Sequence, residues 1–195
     1  AMVALANMLY DGQLLPRDLG KAAHWFTEAA NKCNGYAQYA LGCMYANGSY
    51  FEQSDEKAFN WFKEAAEASE PNSQYCLALF YTEGRHVPKD DAMAAVWFDQ
   101  AADQGHLPAM ADLGLMKVMG RGVDQDVPAG VELLAKAAEY GYPDAEFYLG
   151  KLYYDGTYLD KDLNRAKKHL TKAAKMGDPD AAGLLEAMKK DRRRR

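Results

Sequence analysis

The sequence predicts an all-α fold. It reads as a solenoid of five 36-residue helix-turn-helix repeats (residues 1–36, 37–72, 73–108, 109–144 and 145–180), with a capping helix and basic tail at 181–195. Three observations carry this expectation. Leu5, Leu41, Leu77, Leu113, Leu149 and Leu185 stand at one constant interval, and Gly12, Gly48, Gly84, Gly120 and Gly156 keep the same register with no insertion or deletion. A fixed period in this range is the mark of a repeat array and takes precedence over any other reading of the chain. Apolar residues within each half-repeat fall at helical spacing: Ala37, Leu41, Met44 and Tyr45 lie at i, i+4, i+7 and i+8. Six residues beyond each of those glycines stand Asp18, Ser54, Asp90, Asp126 and Asp162. Side chains of this type accept from the orphan amides of a helical first turn.

The first helix of each repeat, helix A, is expected over about ten residues, for example Ala37 to Ala46. Pro71, Pro143 and Pro179 stand two residues before a repeat start, where proline suits the first helical turn, and Asp178 is placed to cap the last of them. Helix A ends at a glycine loop such as Asn47-Gly48. Helix B follows for about 14 residues, carrying Ala58, Trp61, Phe62, Ala65 and Ala66 in the second copy. Gly105, Gly141 and Gly177 occupy the place of a left-handed C-cap, whereas Cys33 and Ser69 replace them in the first two copies and predict less favourable turns. Gly42, Ala78, Gly114 and Gly150 let the two helices approach closely, and the paired alanines do the same from helix B. The last segment (Ala181, Leu184, Leu185, Met188) reads as one more helix A, with Glu186, Lys189 and Lys190 on its outer side, as suits a cap. Because a single repeat cannot bury its apolar face alone, the whole chain is expected to form one continuous domain.

Composition narrows the function classes. The chain is 49% hydrophobic and 26% charged, with a formal net charge of −5. Six of its basic residues fall in Lys189 to Arg195, which leaves 17 basic and 27 acidic residues in the body. A body that acidic argues against binding a phosphate backbone, so nucleic acid is not an expected partner. The Arg192–Arg195 run reads as a solvated tail, with a basic docking signal as the alternative. No run of apolar residues is long enough to cross a membrane, so no membrane insertion is expected, and no signal-peptide pattern opens the chain. Cys33, Cys43 and Cys76 fall at three different repeat positions, which favours free, packed thiols in a reducing compartment. The cytoplasm comes first on that reasoning, and the periplasm is the alternative if a signal peptide has been removed.

Together these landmarks spell a known pattern. Ala145, Leu149, Gly150, Tyr153 and Gly156, with Val87, Asp90, Ala94, Trp97, Ala101, Ala102 and Gly105, closely resemble the Sel-1-like repeat, a relative of the tetratricopeptide repeat with a longer interhelical loop. Lys117 departs from the pattern's helix A tyrosine, and Leu133 and His169 depart from its tryptophan. The resemblance implies a right-handed superhelix with a concave inner surface and a role as a protein-interaction adaptor. Family roles include bacterial scaffolds, immunity partners of secreted toxins and eukaryotic assembly factors.

Enzyme signals are poor. His24, His86, His106 and His169 lie at four different repeat positions, so no metal-binding pair at helical spacing forms. Neither a nucleophile elbow nor a Walker-type loop nor a dinucleotide fingerprint is present. No catalytic residue, cofactor or metal is expected. What varies between the repeats is the face of helix A that the framework leaves over, which by analogy with tetratricopeptide repeats lines the concave groove. Tyr39, Tyr75, Leu79, Leu115, Phe147, Lys151 and Tyr154 lie there, with Tyr36, Glu83, Asp112, Tyr148 and Asp155 just beside them. A solvated face would be rich in lysine, glutamate and glutamine, but this one is aromatic and aliphatic with scattered acids. Tyrosine-rich surfaces mark interfaces, so these residues are the expected partner-binding set, with Tyr39, Tyr75 and Phe147 as anchors. The competing expectation is that curvature packs those three against neighbouring helices. The function expected is a non-enzymatic scaffold that is monomeric when free and binds a partly apolar, partly basic protein or peptide. Its sharper form is an inhibitor or immunity protein for a bacterial effector, and the alternative is a structural cell-envelope or assembly scaffold within a larger chain.

Overall fold

The computed structural model describes residues 1–193, with side chains described through Lys190, so the side chains of the expected solvated tail at Arg192–Arg195 lie outside the described ones. Among the described residues there are eleven helices and no strand, in the expected alternation of A and B. Helix A occurs as α1 (Met2–Asp11), α3 (Gly35–Asn47), α5 (Pro71–Glu83), α7 (Leu107–Met119), α9 (Pro143–Asp155) and α11 (Pro179–Arg193). Helix B occurs as α2 (Leu19–Ala30), α4 (Asp55–Glu67), α6 (Asp91–Asp103), α8 (Val127–Glu139) and α10 (Leu163–Lys175). From α3 onward helix A starts two residues earlier than periodicity alone suggests; Asn34, Glu70, His106 and Asp178 cap α3, α5, α7 and α11, whereas Tyr142 before α9 makes no side-chain cap. None of these helices is long and apolar enough to cross a membrane.

Main-chain geometry repeats with the sequence. Each A helix through α9 ends on a left-handed glycine whose amide bonds the carbonyl four residues back, Gly12 to Met8 and Gly156 to Leu152 being the outermost cases. The amide of Asp18, Ser54, Asp90, Asp126 or Asp162 then reaches back nine residues to a helix A carbonyl, at 2.9–3.0 Å in all five copies. The side chain of that same residue caps helix B by accepting from its first turn. One residue therefore closes the loop and starts the next helix. At the far end of helix B, Gly105, Gly141 and Gly177 have positive φ as expected, and Cys33 (57°) and Ser69 (64°) are forced into the same region.

The chain divides into two compact units, Ala1–Gln104 and Gly105–Arg195. In the first, Phe26, Phe62 and Phe98 are each at most 2% exposed, and their tryptophan neighbours Trp25, Trp61 and Trp97 are half-buried. Burying one such phenylalanine contributes about 1.5–3 kcal/mol. Phe59, Phe62, Leu77 and Phe80 form a core between the second and third repeats, onto which Tyr39, Cys43 and Cys76 pack. Close approach explains Gly42, where an added Cβ would lie 2.5 Å from the Phe62 ring. In the second unit Leu113, Met116, Leu134, Leu149 and Leu170 are buried, and Leu170, Ala173 and Ala181 gather Phe147, Leu184, Leu185 and Met188 around them. Here α7 and α8 meet through Gly114 and Gly130, each lying where a Cβ would be within 3 Å of the other's carbonyl oxygen. Where the tryptophan is lost, Leu134 still fills the fourth repeat, and His169 stacks on Tyr153 at 5.9 Å in the fifth.

Candidate functional site

In the first unit the leftover face of helix A is a graded aromatic surface. Tyr36, in the first turn of α3, is 41% exposed, and its hydroxyl donates to Asn7 Oδ1 at 3.4 Å. The Tyr39 ring lies 6.0 Å from Tyr36 and 6.1 Å from Phe62, with one edge in the core and one outside. Burial pushes the Tyr39 hydroxyl far above its ordinary titration range, and the neighbouring Cys43 adds to the shift. Burial likewise raises the thiols of Cys43 and Cys76, so both remain protonated packing groups. Tyr75 is half-buried with its ring 5.6 Å from Phe98, and Leu79 is half-buried one turn later. Glu83 is exposed at the end of α5, 3.8 Å from Arg85. Arg85 stacks over Phe80 at 4.4 Å and bonds both carboxylate oxygens of Asp55, which holds the Asp55 carboxyl below its usual range.

The second unit carries a defined pocket of about 130 Å³ between α7 and α9. Leu115 and Met119 line it from α7, Tyr148, Lys151, Leu152 and Asp155 from α9, and Thr157 and Tyr158 from the loop that follows. Four of the residues expected from sequence, Leu115, Tyr148, Lys151 and Asp155, thus come together. Of the remaining two on α9, Phe147 turns towards the Leu170 core and lies 5.8 Å from Tyr148, while Tyr154 lies under the Lys161 ammonium at 5.0 Å. Acid surrounds the Tyr148 wall. Burial raises the Tyr148 hydroxyl first, and the charges of Asp112, Asp144, Asp178 and Asp180 raise it further. Beside it Tyr142 donates to Asp144 at 3.0 Å; burial raises its hydroxyl first, then this hydrogen bond and the Asp144 charge. Tyr39, Tyr75 and Phe147 are therefore anchored in their own cores on one side, whereas Tyr36, Glu83, Lys151 and Asp155 stand exposed.

Met119, Leu152, Thr157 and Tyr158 join the site although the periodic reading passed over them. Met119 precedes a C-cap glycine, and Tyr158 stands in the loop where other copies have Leu14, Tyr50, His86 and Gly122. Apolar residues in a loop were the available signal. Also unread was a buried polar row on helix A. Gln38 donates to Glu64 at 3.3 Å, Gln74 to Gln100 at 3.4 Å, and Glu146 accepts from Lys172 at 2.9 Å, each pair separated by 26 residues. Asn34, Glu70 and His106 were not expected as helix A caps, and each accepts from a first-turn amide.

Among the described residues no three His, Cys, Asp or Glu side chains gather to hold a metal. His106 is committed as a cap through Nδ1, and His169 Nδ1 lies 2.7 Å from a Glu146 carboxylate that Lys172 also holds.

Comparison with known proteins gives a consistent picture. The Sel1 repeat model matches residues 1–32, 35–70, 71–106, 107–142 and 143–178, the same register as the helices. None of the curated proteins matches the chain. A Sel1 repeat protein from Oxalobacter formigenes is 30% identical, with TM-score 0.86 over 96% of this chain and 76% of that one. A protective antigen of uropathogenic Escherichia coli with this repeat fold is 28% identical, with TM-score 0.81 over 92% of this chain, which spans 38% of that longer chain. An immunity protein of Pseudomonas aeruginosa shares the fold at 21% identity and TM-score 0.61, over 93% of this chain and 67% of that one.

Proposed function

The chain belongs to the Sel1 repeat family, whose members are generally non-catalytic protein-interaction scaffolds, and from that premise we propose that it binds a protein partner on the faces of its A helices that vary between repeats. The observation that carries this reading is the α7–α9 pocket, where apolar walls, two tyrosines and an acidic border meet on the surface that varies between repeats. Preformed helices present these groups with little ordering left to occur on binding. The surface includes Tyr36 and Glu83 in the first unit and Leu115, Tyr148, Lys151 and Asp155 in the second. Its chemistry is recognition without turnover. The P. aeruginosa immunity protein shares the fold, and inhibition of an effector is the sharper form of the same reading.

Affinity capture from the source cell tests the proposal. The wild-type chain and a Tyr36→Ala, Glu83→Lys, Asp155→Lys variant are compared, with Val96→Ser on α6 as control. The expected result is a partner retained by the wild type and by the control but lost from the triple variant, with melting unchanged. Capture that survives the triple variant overturns the assignment of the A-helix face.

A further inference from the structure

We propose that the α7–α9 pocket seats one leucine- or methionine-sized side chain of a partner peptide that carries arginine or lysine two to three residues away on both sides. The proposal rests on the protein-binding reading above and specifies its chemistry.

Size selects the anchor. A volume of about 130 Å³ is close to that of an apolar cavity of about 150 Å³ that takes up benzene, so it has room for the four heavy atoms of a leucine or methionine side chain. The walls suit such a group: Leu115, Met119 and Leu152 are aliphatic, and Tyr148 and Tyr158 offer rings. Met119 is 45% and Tyr158 37% exposed, so apolar area remains at the rim for an occupant to cover.

Charge selects the flanks. Asp155 borders the pocket at the C-terminal end of α9, with Lys151 its one cationic lining residue. At the N-terminal end Tyr142 holds Asp144, and Asp178 caps α11 by accepting from the Ala181 amide at 2.7 Å. The fields of Asp112, Asp144, Asp178 and Asp180 converge on Tyr148, which is itself a pocket wall. Carboxylates thus bracket an apolar seat. Cations on both sides of the anchor gain from them, and anions are repelled.

Length selects a peptide. Asp144 and Asp155 are eleven residues apart on one helix, or about 16 Å at the helical rise. An extended chain covers that distance in about five residues. No single amino-acid-sized ligand reaches both ends.

The test uses fluorescence anisotropy on the full chain with the labelled peptide Arg-Arg-Ala-Leu-Ala-Arg-Arg. One control peptide carries serine for leucine and another carries glutamine for all four arginines. The wild type should bind the first peptide about tenfold or more tightly than either control, with affinity falling as salt rises. Met119→Arg and Asp155→Lys should each weaken binding about tenfold, while Val96→Ser leaves it unchanged and all three melt like the wild type. Equal affinity for the leucine and serine peptides, no binding of the leucine peptide, or indifference to the pocket variants overturns the proposal. If the natural partner is still captured by Met119→Arg/Asp155→Lys but lost on Tyr36→Ala/Glu83→Lys, the pocket chemistry falls and the broader binding reading stands. If none of the four substitutions affects capture, the broader reading falls with it.

Discussion

The carboxylate of Glu146, only 4% exposed, accepts a hydrogen bond from Lys172 at 2.9 Å, at the repeat position where Gln74 meets Gln100 in the third copy. The fourth copy solves the same position differently, burying Met110 there. Only the carboxylate is buried, Lys172 being half-exposed; removing the partner of a buried charge is costly, whereas replacing both groups with apolar ones is often neutral. Lys172→Met should therefore lower unfolding free energy by about 1–3 kcal/mol, and Glu146→Met/Lys172→Met should recover most of that loss. Urea unfolding of the three proteins checks it. A double variant less stable than Lys172→Met would show that His169 alone satisfies the carboxylate.

Cys33 and Ser69 hold left-handed backbone that glycine holds in the other three copies. A side chain there costs about 1–2 kcal/mol, and glycine returns part of this as added freedom of the unfolded chain. Cys33→Gly and Ser69→Gly should each stabilise by about 0.5–1 kcal/mol. Both side chains are exposed, so no packing is lost. Unchanged denaturation midpoints would contradict the assignment of strain.

Gly130 predicts the opposite sign. A Cβ there would lie 2.5 Å from the Gly114 carbonyl oxygen and 2.7 Å from Val118. Gly130→Ala should destabilise by about 1–3 kcal/mol, even though alanine is native at the equivalent Ala58 and Ala94. Helix propensity alone would favour alanine by about 1 kcal/mol, so the sign of the measured change decides which effect wins.

Acid sensitivity should be localised in part to Asp55. Its hydrogen bonds from Arg85 hold the carboxyl below the ordinary 3.8. A carboxyl depressed in the folded state contributes stability that is present above the unfolded value and lost as pH falls below it. Asp55→Asn should thus flatten the loss of melting temperature below about pH 4, leaving it nearly unchanged at neutral pH relative to its own plateau. An acid limb as steep as in the wild type would remove Arg85–Asp55 from the account.

Most of the fold is legible in the sequence because its determinants are short-range. Asp90 caps α6 and Gly84 ends α5 through groups a few residues away, so spacing alone reveals them. Glu70 escaped notice as the cap of α5 because glutamate is not a common capping residue, and His106 escaped for the same reason. The site is less legible. Whether Tyr39 faces solvent depends on its distance from Phe62, and whether Met119 borders a pocket depends on where Tyr158 lies after its loop. Those distances arise from helix packing, which periodicity specifies only as a pattern. Gly130 was missed likewise, since one glycine among alanines reads as noise until Gly114 is seen opposite.

The five main-chain bonds that reach back nine residues, from Asp18 to Leu9 through Asp162 to Tyr153, bear on how the protein comes to be folded. Each closes a helical hairpin with contacts that are already available once that stretch of chain has left the ribosome. Low contact order of this kind favours rapid assembly, and hairpins can dock one after another during synthesis. Since donor and acceptor are both backbone, Lys117 can replace tyrosine at the acceptor residue and leave the bond intact at 2.9 Å. The surface can therefore diversify from copy to copy while the order of assembly stays the same.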